Sequence, residues 1–193
     1  MNVNSVFRWI VPVVLAGSLA GNVLLSVRLR SLQGDRVLTA QGPVAHPHRG
    51  DVVLPLHVKQ VDGVDEVVDW GGANTTLIYY FNPSCGPCNS NGAAFHSLVE
   101  QIRKDVRVLA YTADLDGVER FRSETRLDVP LITDGSDRVQ NVLKLNATPA
   151  TLLIDASGHV VRYWEGAYTG EVRARIQDFL HVNLANAAES GGE

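Results

Sequence analysis

Cysteine is almost absent from this 193-residue chain, which has two, at positions 85 and 88. Two thiols cannot build a multi-disulfide scaffold, and they supply only half of the four ligands of a structural zinc site. Charge is also sparse: Asp, Glu, Lys and Arg make up 20% of residues with a net of −4, and no basic stripe marks a nucleic-acid surface. There is no internal repeat, and the one low-complexity tract is the Ala, Asn, Glu, Ser and Gly-rich end, read here as a flexible tail over 184–193. What cysteine there is lies together. Two cysteines placed at random fall three apart about one time in a hundred, so the spacing asks for a chemical reason.

The run Thr75-Thr-Leu-Ile-Tyr-Tyr-Phe81 is apolar, β-branched and aromatic and predicts a buried strand, which Asn82-Pro83-Ser84 ends. Beyond Cys85-Gly86-Pro87-Cys88, residues Ala94, Phe95, Leu98, Val99 and Ile102 recur at helical spacing, with Arg103 and Lys104 in the last turn. Cys85 is therefore expected at a strand-to-helix junction. Unpaired N–H groups and a partial positive charge there favour a thiolate, which is the nucleophilic form. Cys85 is the expected attacking sulfur and Cys88, one turn inward, the resolving one. Pro83, Ser84, Gly86 and Pro87 support the motif.

This motif after a strand, together with Thr148-Pro149 before the apolar run Ala150–Asp155, resembles the thioredoxin superfamily. The closer resemblance is to the membrane-anchored TlpA/ResA-like thiol-disulfide oxidoreductases of the bacterial envelope, over roughly residues 51 to 183. It implies a cis peptide bond at Pro149 packed against the cysteine pair, and backbone groups of Thr148 that pair with an extended substrate peptide. It implies no cofactor beyond a redox-active Cys85–Cys88 disulfide, protein disulfides as substrates, a membrane thiol carrier as electron donor, and a monomer. Apocytochrome c before haem attachment is a typical substrate of such proteins. Three positions depart from the pattern. Ser84 replaces the tryptophan common before the motif, Tyr79 stands where thioredoxin has a buried acid, and Asn91 stands where ResA-like reductases have a glutamate. Glu66, Asp69, Glu124 and Asp128 are alternative acids, each expected on the surface.

The remaining pattern predicts strands over 106–111, 130–133, 150–155 and 159–164, and helices near 116–125 and 137–144. A final helix carries Val172, Ile176, Phe179 and Leu180 on one face, and a hairpin over 52–69 turns at Asp62-Gly63. The expected fold is thus α/β and thioredoxin-like: a mixed sheet flanked by helices, an N-terminal hairpin, and an inserted helix and strand over about 113–133 that the envelope group adds.

From Trp9 to Val27 no residue is charged, and 19 residues of helix span about 28 Å, close to a bilayer's hydrocarbon core. Residues 1–28 are expected to form a single membrane anchor, with Ser18-Leu-Ala20 leaving open a cleaved signal. Arg28, Arg30 and Arg36 outnumber Arg8, which by charge alone would hold the domain in the cytosol. Large domains cross regardless of such a tally, so the domain is expected on the periplasmic or extracytoplasmic side of the inner membrane. Residues 29–50 read as a linker and 51–183 as the domain.

The expected activity is reduction of extracytoplasmic protein disulfides. Three alternatives stay open: a disulfide-donating oxidase, a copper-handling module with the two thiolates and a histidine as donors, and a peroxiredoxin-like peroxidase. No metal site is expected at His46-Pro-His48, His96 or His159.

Overall fold

The structure is a computed structural model that describes residues 45–134 and 137–185. The expected anchor, most of the linker and all but the first two residues of the tail lie outside the described residues. Among the described residues no helix is long and apolar enough to cross a membrane.

The hairpin forms as β1 (Leu56–Gln60) and β2 (Asp65–Val68). Its turn is closed by Gly63, which adopts φ +86° and donates its N–H to Gln60 O. The apolar run before the cysteines is β3 (Thr75–Tyr80). After it come α1 (Gly86–Ser90), α2 (Gly92–Gln101), β4 (Val106–Tyr111), α3 (Val118–Thr125), β5 (Leu131–Thr133) and α4 (Arg138–Val142). The chain closes with β6 (Ala150–Asp155), β7 (Val160–Glu165) and α5 (Gly170–Leu180). The described strands form one mixed sheet in the order β2-β1-β5-β4-β3-β6-β7. β3 runs parallel to β4 and antiparallel to β6, so it is central and buried on both faces.

Alternation along β3 divides the core. Leu77, Tyr79 and Phe81 face a layer with Cys88, Phe95, Leu98, Phe121 and Ile176, while Ile78 and Tyr80 face the hairpin side with Leu56, Val58 and Leu143. Stacked rings tie the first layer together, Tyr79 to Phe95 at 4.2 Å and Phe81 to Phe121 at 4.4 Å between centroids.

Four details differ from the sequence reading. The helix after the motif divides at Asn91 into α1 and α2, although the buried Asn91 keeps helical backbone and its N–H is shared between Pro87 O and Cys88 O. Phe179 does not enter the core; it packs edge-on against Trp164 with the Arg162 guanidinium over its ring. The linker reading also stops short, since residues 45–50 are tied to the domain: Gly50 N–H donates to Val160 O and Asn146 Nδ2 to Ala45 O. At the other end Leu184 is buried, so packed chain runs at least one residue past 183.

Gly92 sets the approach of α3 to α2, because a Cβ added there would stand 2.8 Å from Thr125 Cβ and 2.9 Å from its Cα. Backbone cannot yield as a side-chain tip would. Gly92→Ala is expected to cost about 1–3 kcal/mol, read as a lower urea midpoint at unchanged slope.

Candidate active site

Cys85 is placed by a turn and a cap. Asn82 Oδ1 accepts the Ser84 N–H at 2.8 Å and Asn82 O accepts the Cys85 N–H at 3.0 Å, which swings the chain off the end of β3. Cys85 then serves as the N-cap of α1 with extended backbone, and its Sγ accepts the Cys88 N–H at 3.3 Å. Pro87 fits in the first turn, where its missing N–H costs nothing. The sequence reading took Asn82 only as the start of the triplet that ends the strand; its side chain's hold on the turn is added by the structure.

The cysteines are both free thiols and unequal in exposure. Cys85 is half-buried, flanked by exposed Ser84, Gly86 and Pro87, whereas Pro83 is buried and lies near Gly117. Cys88 is fully buried. Burial pushes the Cys88 thiol up to about 12; its hydrogen bond with Cys85 adds to the rise and backbone contact with Asn82 opposes it.

The loop before β6 closes the other side. The Thr148–Pro149 peptide is cis, as the resemblance implies, and Cys85 Sγ donates to Thr148 O at 3.6 Å. Thr148 is half-buried and Pro149 buried. Gly166 N–H donates to Pro149 O at 2.8 Å, anchoring the loop to the end of β7. The structure thus brings together the motif and Thr148-Pro149, 63 residues apart.

The apolar layer that holds Cys88 also encloses a few neutral polar groups. Asn91 Oδ1 accepts the Tyr168 N–H at 2.7 Å, and the Tyr168 hydroxyl bonds Thr151 Oγ1 at 2.6 Å. The Tyr79 hydroxyl and Asn91 Nδ2 are buried with no hydrogen-bond partner, although Asn91 is close enough to stabilise a Tyr79 phenolate. Burial holds the Tyr79 hydroxyl well above its ordinary range. Sequence reasoning singled out Tyr79 and Asn91 as departures but had no signal for Tyr168.

The alternative acids lie on the surface as expected. Glu66 accepts from Gln60, Glu124 pairs with Arg120, and Asp69 and Asp128 are exposed. His96 pairs with Glu100, and His159 lies near Asp155 and Ser157. Among the described residues no three His, Cys, Asp or Glu side chains are grouped to hold a metal ion.

The raised Cys88 thiol has two consequences. In the reduced protein at neutral pH, iodoacetamide is expected to label Cys85 and spare Cys88, with Cys88 labelling rising only as pH approaches 12, measured per site by mass spectrometry. The native state holds a proton that an unfolded thiol loses near pH 9.0, so this contribution to stability is complete below pH 9.0 and falls as pH rises toward 12. Tyr111, Tyr163 and Tyr168 are raised as well, so the Cys88 share is the difference between wild type and Cys88→Ala in urea unfolding.

No curated protein matches the chain in sequence. Solved structures do match in fold. A candidate thiol:disulfide interchange protein DsbE from Chlorobium tepidum is 20% identical with TM-score 0.57, covering 70% of this chain and 97% of its own. StoA from Bacillus subtilis is 17% identical with TM-score 0.54, covering 66% and 97%. Peroxidoxin BcpB from Mycobacterium tuberculosis is 15% identical with TM-score 0.57, covering 70% and 96%. These likenesses establish the thioredoxin-like fold with its mixed sheet. The AhpC/TSA family profile matches residues 57–163, which hold both cysteines and the cis-proline, and the chain belongs to that family.

Proposed function

We propose that the protein is a thiol-disulfide oxidoreductase that reduces disulfides of extracytoplasmic proteins through Cys85 and Cys88. The observation that carries this reading is the asymmetry of the pair: a half-exposed sulfur on a helix cap facing Thr148 O, with a second, buried thiol one turn behind. Cys85 attacks a substrate disulfide and forms a mixed disulfide. Cys88 then attacks Cys85, closing the intramolecular disulfide and releasing the reduced substrate. Thr148 and Pro149 line the approach, where an extended peptide pairs with the Thr148 backbone once Cys85 leaves it to attack.

The apolar run from Trp9 to Val27 supports an inner-membrane anchor with the domain outside the cytosol. One helix cannot carry electrons, so the reducing direction needs a separate membrane thiol donor. Proteins with paired cysteines awaiting haem, as in cytochrome c maturation, are fitting substrates. Cys85→Ser is expected to abolish exchange, and Cys88→Ser to accumulate mixed disulfides with envelope proteins on non-reducing gels. No trapped partner with Cys88→Ser would count against the reading.

The direction is read from the reduction potential of residues 45–193 equilibrated in redox buffers. A value near roughly −270 mV marks a reductase, and one near roughly −120 mV a disulfide donor. A second reading, peroxide reduction by Cys85, draws on membership of the AhpC/TSA family and the fold shared with peroxidoxin BcpB. It predicts that stoichiometric hydrogen peroxide oxidises the reduced protein within seconds, whereas the exchange reading predicts that a peptide disulfide reacts faster.

A further inference from the structure

The stretch that leads into the cis-proline has little main-chain support of its own. Leu145 N–H still donates to Gln140 O of α4 at 2.9 Å, and Pro149 O accepts from Gly166 at 2.8 Å. Between them, among the described residues, no backbone–backbone hydrogen bond holds Asn146, Ala147 or Thr148. Thr148 is tied to the cysteines instead: its carbonyl accepts from Cys85 Sγ at 3.6 Å, and its side chain bonds toward Cys88. The first of these ties is lost when Cys85 attacks a disulfide. What then keeps the stretch in place is the Asn146 carboxamide, whose Nδ2 donates to Lys144 O at 3.0 Å and to Ala45 O at 2.7 Å.

Ala45 belongs to a segment that crosses this loop as a strap over residues 45–51. Pro47 is buried, His46 Nδ1 lies 3.2 Å from Glu165 Oε2, and Asp51 Oδ2 meets Lys144 Nζ at 2.7 Å. Gly50 and Asp51 both pair through their backbones with Val160 at the start of β7. The strap therefore touches both sides of the cis-proline. Lys144 and Asn146 precede it, and Glu165 stands opposite Ala150, the residue that follows it, in the β6–β7 register.

We propose that the strap, acting through Asn146, is a positioning element for peptide substrates: it holds the Thr148 backbone aligned at the moment Cys85 leaves it, so that an extended substrate meets an ordered partner. This rests on the exchange reading above. A loop that is ordered beforehand pays no ordering cost when the peptide pairs with it. A small disulfide without a peptide backbone gains nothing from that order. The strap thus favours peptide over small-molecule disulfides at the same sulfur.

The reduced full chain, reacted in single turnover with a peptide disulfide or with cystamine and acid-quenched for mass spectrometry, tests this. Asn146→Leu keeps the approximate shape and removes the donor; it should lower the peptide rate constant about threefold relative to that for cystamine. Asn146→Gln, which retains a donor, should recover most of that loss. Asp51→Asn releases the Lys144 end of the strap and should shift the same ratio in the same direction by about twofold, as suits a half-exposed ion pair. Equal losses for peptide and cystamine in Asn146→Leu and Asp51→Asn overturn the proposal, as does an unchanged ratio or a loss that Asn146→Gln does not relieve. A wild-type protein that exchanges with neither disulfide overturns the exchange reading instead.

Discussion

The site depends on one register: the antiparallel pairing of β3 with β6, which sets Tyr80 opposite Ala150. That pairing fixes where β3 ends, and so where Asn82 turns the chain and Cys85 begins α1. It also puts Pro149, the residue before β6, beside that same end. The close contact of Cys85 Sγ with Thr148 O follows from it. A slip of one residue would move Tyr79 and Thr151 to the opposite face and take Thr148 away from the sulfur. The register is held because both strands are buried on both faces, leaving no solvent side to which a slipped strand could turn its apolar groups. Catalytic geometry here is a by-product of core packing.

Most of this architecture was legible in the chain. β3, β4 and β6 are apolar runs rich in β-branched residues, and two of them, 106–111 and 150–155, have the bounds that the pattern predicts. The hairpin was legible through Asp62-Gly63, since only glycine adopts φ +86° there without strain. The break at Asn91 was not. Helical spacing runs straight through it in sequence, and the partner that holds its side chain, Tyr168, is a long-range one. The packing of residues 45–50 was hidden for the same reason, because Pro47 and Gly50 look like linker while the partners of Gly50 and Ala45, Val160 and Asn146, are more than ninety residues away. Local pattern reports periodicity and turn chemistry; it carries no record of which distant group satisfies a polar atom.

The candidate site divides along that line. Cys85, Cys88 and Pro149 stand out because their chemistry is written in spacing and residue type. Tyr79 and Asn91 were visible as substitutions within a resembled family, yet 12 residues apart in sequence they gave no hint of acting together. The fold brings the two together, with Asn91 near the Tyr79 hydroxyl and Tyr79 within reach of the charge of Cys88, one from the strand before the motif and one from the helix break after it. Two separate departures become one neutral pocket.

Such a pocket has a cost. A buried donor left without an acceptor loses about 1–3 kcal/mol, whereas an apolar side chain of similar shape at the same position would be close to neutral. Phe in place of Tyr79 would keep the stack on Phe95 and remove one of the two orphaned groups. Stability alone therefore favours a drier core than this chain has. One of these groups, the Tyr79 hydroxyl, feels the charge of Cys88, the one buried thiol of the described residues. A phenolic O–H is a donor, suited to solvating a sulfur anion once it exists but taking no part in making it.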